Sequence, residues 1–175
     1  EPKIKKVNIN RNYDFNFSKI KISKNAGFKN MLNSLEILIK KAQDLGVILA
    51  IESEGSFTSK NVLLLETINE FENLFATFPN EIKINLNLAH TRIASKIHNY
   101  SLVSFIEKFN NNIVAAELSD NSGLIDEHLP LKKNSFVFDY INKLPNIPMI
   151  LEFRDTNIRQ IKKSIDLIRN YEKFN

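Results

Sequence analysis

Apolar residues recur along this chain in two alternating rhythms. The first is helical. From Phe28 the apolar positions are Phe28, Met31, Leu32, Leu35, Leu38, Ile39, Ala42 and Leu45, a stripe at three- and four-residue spacing. Gly46 follows, where a helix commonly stops. The second rhythm is a short, nearly continuous apolar run, seen at 47–52, 82–87, 112–117 and 148–153. Such runs predict strands covered on both faces, as in parallel α/β sheets. Further helices are predicted over about 59–75 (with Leu64, Ile68, Phe71 and Phe75 on one face), 101–109, 135–144 and 156–171. The last has a buried stripe of Ile158, Ile161, Ile165 and Ile168. Residues 4–10 read as a first strand, 11–25 as an irregular loop, and 119–133 as a long polar loop. The alternation predicts an α/β fold with a parallel sheet.

The four apolar runs share a further property. Each ends on a side chain with a metal-ligating oxygen: Glu52, Asn87, Glu117 and Glu152, spaced 35, 30 and 35 residues apart. One strand–helix unit takes roughly 30 residues or more. Alternate residues of a strand share a face, so Glu52 points with Ile48 and Ala50, Asn87 with Asn85 and Lys83, Glu117 with Ile113 and Ala115, and Glu152 with Pro148 and Ile150. The opposite parity is apolar and can face a helical layer. All four oxygens can therefore point inward at the C-terminal end of a parallel barrel, where active sites of such barrels lie.

A full barrel needs eight strands and about 250 residues. The pattern supplies at most five strands in one domain spanning 1–175. This gives three alternatives: the chain is the C-terminal portion of a full barrel, the sheet is open, or another chain completes it. An open edge favours self-association, so a homo-oligomer or a completing partner chain is expected.

Composition narrows the chemistry. The 175 residues include no cysteine, which excludes disulfides and thiolate metal sites and agrees with a cytoplasmic protein. No apolar stretch reaches the about 18 residues of a membrane helix, and no signal-peptide-like apolar segment stands near residue 1, so no membrane partner is expected. Net charge is +4 and the pI about 9.2. That mild excess suits anionic substrates such as sugar phosphates or nucleic acid, although lysine-rich helices are more often simply solvated.

The loop Glu117-Leu-Ser-Asp120-Asn-Ser-Gly-Leu-Ile-Asp126-Glu-His128-Leu-Pro-Leu131 carries the most specific signal. Together with Ile51-Glu52, Asn87-Leu-Ala-His90 and Ile150-Leu-Glu152, it resembles the xylose isomerase-like TIM barrels, over about residues 47–170. That superfamily holds sugar isomerases and epimerases and the endonuclease IV-like apurinic-site nucleases. The resemblance implies that Glu52 and Glu152 are metal ligands and also the pair that moves a proton on and off a substrate carbon. Two ligand positions depart from the family pattern: the family's aspartate falls on Asn87, and its histidine on Glu117. The glycines that follow the Leu-Pro-Leu stretch are replaced by Lys132 and Asn134.

Glu52, Asn87, Glu117 and Glu152 still offer four oxygen-bearing side chains. Such a set favours Mn²⁺ or Mg²⁺, with Zn²⁺ the other candidate although it prefers nitrogen and sulfur. His90, Asp126 and His128 form a second constellation, fit for substrate hydroxyls or a second metal, and resemble a zinc site of the endonuclease IV branch. Arg154 is a candidate anion contact. His98 is placed near a helix start, at the surface, with no role. Three readings follow: a divalent-metal-dependent isomerase or epimerase acting on a sugar or sugar phosphate, an apurinic-site endonuclease with nucleic acid as partner, or a non-catalytic degenerate barrel.

Overall fold

A computed structural model describes residues 22–55 and 63–174, with side chains to residue 171. The expected strand at 4–10 and most of the loop at 11–25 lie outside the described residues. Helix α1 (Lys24–Leu45) leads into β1 (Leu49–Glu52). Then follow α2 (Ile68–Thr77), β2 (Ile82–Asn87), α3 (Leu88–His98), α4 (Leu102–Phe109), β3 (Ile113–Leu118), β4 (Met149–Leu151) and α5 (Ile158–Phe174). The strands form one sheet in the order β1-β2-β3-β4, and every pairing is parallel. The architecture is α/β, a partial barrel with four strands among the described residues. Among the described residues no helix is long and apolar enough to cross a membrane.

Local chemistry explains the element boundaries. The Ser23 hydroxyl accepts from the Ala26 N–H and caps α1, which therefore begins four residues before its apolar stripe. Gly46 ends it at φ 64°, in the left-handed region, and donates to the carbonyls of Ala42 and Gln43. Of the helix expected over 59–75, residues 59–62 lie outside the described residues, 63–67 are not helical, and α2 starts at Ile68. Thr67 and Glu70 form a reciprocal capping box there, which sets a helix start more firmly than an apolar stripe does. The helix expected over 135–144 is two 3-10 turns, Phe136–Asp139 and Ile141–Lys143. In α5, Ile168 is buried but Ile158 is 64% exposed, so the expected stripe faces the core only in its later turns.

Helix α3 has no counterpart in the sequence reading. It begins directly where β2 ends, with no turn residue between, and seven of its eleven residues are buried. His98 accordingly lies at a helix end rather than a start. Its ring is 12% exposed, with Nε2 3.6 Å from Glu66 Oε2.

The core lies between the sheet and the helices. Ile82, Ile84 and Leu86 of β2 and Ala116 and Leu118 of β3 face it, fully or almost fully buried, with Phe71, Leu74, Phe105 and Ile106 from α2 and α4. The other face of the sheet carries Ala50, Lys83, Asn85, Ala115 and Ile150, together with the polar strand ends. It is partly open to solvent: Ile48 is 73% and Ile150 45% exposed.

Candidate metal centre

Parallel register brings the strand ends together. Asn87 pairs with Glu117 across β2 and β3, and Glu117 with Ile150 across β3 and β4. Glu52 ends β1, and the Glu152 N–H still donates to the Leu118 carbonyl just beyond β4. Oxygens of Glu52, Glu117 and Glu152 lie within 4.8 Å of one another. Asn87, fully buried, sits beneath them. Its Nδ2 donates toward Glu52 Oε1 at 2.9 Å, Glu117 Oε2 at 3.1 Å and Glu152 Oε2 at 3.0 Å. Its Oδ1 accepts from the His90 N–H at 3.1 Å and caps α3.

That orientation corrects one expectation. Asn87 presents nitrogen, not oxygen, to the cluster, so the oxygen set is three carboxylates rather than four ligands. Two residues missed in the sequence support it. Asn85 Nδ2 donates to Glu117 Oε1 at 2.8 Å, and Ser53 Oγ accepts from the Asn87 N–H at 2.9 Å. Strand parity places Asn85 on the face of Asn87 but gives it no role of its own. Ser53 carries no such signal.

The second constellation also assembles. His90 Nδ1 is 3.3 Å from Glu52 Oε1, and its Nε2 is 3.3 Å from Asp126 Oδ1. His128 Nε2 is 2.8 Å from Asp126 Oδ2, and its Nδ1 is 3.2 Å from Glu152 Oε2. The two rings meet edge to face, with centroids 5.4 Å apart. A chain of polar contacts thus runs Glu52–His90–Asp126–His128–Glu152. Arg154, the candidate anion contact, is tied into it, with one terminal nitrogen 2.9 Å from Asp126 Oδ2 and the other donating to the Asp126 carbonyl. The carrying loop is pinned by the Asp120–Leu129 backbone pair and by the Ser135 hydroxyl, which donates to Asp120. His128 itself sits at φ 48°.

Charge distribution follows the geometry. Burial raises the Glu117 pKa, and the neighbouring charges of Glu52 and Glu152 raise it further, outweighing the amide of Asn85. The contact with His90 holds Glu52 below the ordinary carboxylate range. Burial works against a charged His90 ring, but the carboxylates of Asp126 and Glu52 outweigh it and raise the ring to about 10. Burial likewise opposes a charged Asp126, yet His128 and His90 bring its pKa well down.

Three crowded carboxylates, one of them driven toward protonation, are short of positive charge, which is the condition a hard divalent cation relieves. The side chains of Glu52 and Glu152 are 40% and 44% exposed, leaving an open approach from the side opposite Asn87. The donor set fits Mn²⁺ or Mg²⁺. The two imidazoles and one carboxylate of the second group also come within 4.8 Å of one another. By ligand type they suit Zn²⁺, although Asp126 is shared with Arg154.

No family model and no curated protein sequence matches the chain. Solved structures share its fold, two of them at TM-scores of 0.60 and 0.55. One is the 3-keto-D-glucoside 4-epimerase YcjR from E. coli in its apo form, with TM-score 0.60 and 15% identity over 86% of this chain and 56% of that one. The other is the TTHB071 protein from Thermus thermophilus, soaked with ZnCl2, with TM-score 0.55 and 14% identity over 85% of this chain and 57% of that one. The chain thus spans little more than half the length of either. At 15% and 14% identity the likeness is one of fold, that of a partial parallel α/β barrel.

Proposed function

We propose that the chain is the site-bearing part of a divalent-metal-dependent sugar or sugar-phosphate isomerase or epimerase. The observation that carries this reading is the convergence of Glu52, Glu117 and Glu152 at the C-terminal edge of a parallel sheet, in a fold shared with a sugar epimerase. Glu52, Glu117 and Glu152 would hold the cation, which when bound polarises a substrate carbonyl. Glu52 and Glu152 are the proton-transfer pair. A base must reach its proton and carry a suitable pKa. The carboxylates of both residues are partly exposed, and each is oriented by an imidazole, His90 on Glu52 and His128 on Glu152. Both imidazoles are nearly buried and are linked to each other through Asp126. Further strands, from a longer polypeptide or a partner chain, complete the barrel wall in this reading.

The test is exchange of a substrate proton with deuterium from solvent, on ketoses and keto-sugars, with and without Mn²⁺. Exchange should require the metal and should vanish in Glu152→Gln. Equal exchange in wild type and variant removes the reading.

The meeting of His90, Asp126 and His128 favours a second reading, a zinc-dependent nuclease acting at abasic sites. Binding to abasic duplex should then weaken steeply with salt. No binding at low salt excludes it.

A further inference from the structure

We propose that Asn87 is a positioning residue that holds the three carboxylates together without a metal and keeps the divalent affinity of the cluster low. This deepens the reading above, since it concerns how the same cluster takes a cation.

The orientation of the amide is fixed from both sides. The His90 backbone N–H can only donate, so the atom it meets at 3.1 Å must be the amide oxygen. Glu52, Glu117 and Glu152 offer acceptors, so the atom they meet at 2.9–3.1 Å must be the amide nitrogen. Turning the amide over would set donor against donor at the helix start and oxygen against three carboxylates. The main chain is held as firmly. The Asn87 N–H donates to Ser53 Oγ at 2.9 Å, and its carbonyl accepts from Thr91 Oγ1 at 2.8 Å. The residue is fully buried.

An amide NH2 presents the positive end of its dipole where three negative groups converge. It has no lone pair to give a cation. Asn87 therefore does part of a counter-ion's work, gathering the carboxylates, while contributing nothing to coordination. A cation must be held by the carboxylates alone, from their exposed side.

Asn87→Asp separates these roles. Aspartate has nearly the same shape and caps a helix as well as asparagine, so α3 keeps its start. The gathering donor disappears, and a fourth carboxylate enters a crowded, buried place. Such a cluster repels itself unless a cation fills it.

The experiment is a Mn²⁺ titration followed by the EPR signal of free Mn²⁺, together with thermal unfolding with and without EDTA. It compares wild type, Asn87→Asp, and the double variant Asn87→Asp/Glu117→Gln. The double variant keeps the wild-type formal charge, so its folding does not depend on a cation. EDTA should leave the wild-type Tm unchanged. Both variants should bind Mn²⁺ more tightly than wild type, by about tenfold or more, the change that partners around a metal typically carry. The Tm of Asn87→Asp should fall on chelation and recover with Mn²⁺. A wild-type Tm that collapses with EDTA and returns with Mn²⁺ would overturn the proposal. So would a double variant that binds Mn²⁺ no more tightly than wild type. Tight binding by the variants with none by wild type supports the role of Asn87 while removing metal dependence from the proposed reaction, so the two readings fail separately.

Discussion

Glu66 offers a stability measurement whose sign and size both follow from its surroundings. It stands between Leu65, at φ 62°, and the Thr67 cap of α2, with its side chain fully buried. Oε2 is 3.3 Å from Lys24 Nζ and 3.6 Å from His98 Nε2, while Oε1 has no hydrogen-bond partner among the described residues. Burial raises its pKa from 4.5 to about 7, with Glu70 and Glu54 adding to the rise and Lys24 only partly opposing it. The folded state therefore keeps a proton that the unfolded chain has lost across this interval. Stability from this group is fully present below pH 4.5 and is lost as pH rises through about 7. At about 1.4 kcal/mol for each pH unit between the two values, the loss is about 3 kcal/mol. Glu66→Gln keeps the shape and cannot ionise, and Lys24 retains Glu70 at 3.0 Å. Urea unfolding at pH 5, 6, 7 and 8 should show the variant close to wild type at pH 5 and about 3 kcal/mol more stable at pH 8. Taking the difference between the two proteins cancels the titrating groups that do not interact with residue 66. A difference that stays flat across this range, or that favours wild type at pH 8, would refute the argument.

Two further substitutions probe the frame that holds the site. Gly55→Ala places a methyl group against the His90 carbonyl oxygen and the Ala94 side chain, at φ 154°. It should cost about 1–3 kcal/mol by overpacking, read from the urea midpoint, and a loss below about 0.5 kcal/mol would show that α3 gives way freely. Phe71→Ala empties a fully buried position whose ring centroid lies 5.2 Å from Phe105 and 5.6 Å from Phe109. It should cost about 3–5 kcal/mol, and a loss under about 1 kcal/mol would mean that the ring cluster collapses to fill the space.

Four strands and their polar ends were legible in the sequence because both signals are local. An apolar run four to six residues long, closed by Glu52, Asn87, Glu117 or Glu152, is visible in one dimension, and strand parity then places those ends on one face. The loop from Asp120 to Leu131 was legible for the same reason, as a compact string of polar and turn residues. Helix α3 was not, because Leu88-Ala-His-Thr-Arg-Ile leaves β2 without a turn residue, and its N-cap is the same Asn87 that closes the strand. The start of α2 departs from the apolar stripe because its capping box outweighs that longer pattern. What only the tertiary structure decided was which atom each polar group presents. One sequence position can supply an oxygen or a nitrogen, and at Asn87 the choice falls to a backbone N–H on one side and three carboxylates from other strands on the other. Likewise His98 changes from a surface residue to a half-buried neighbour of Glu66 because two segments 32 residues apart are folded against each other. Hydrogen-bond direction and desolvation depend on groups distant along the chain, and a linear pattern carries no record of them.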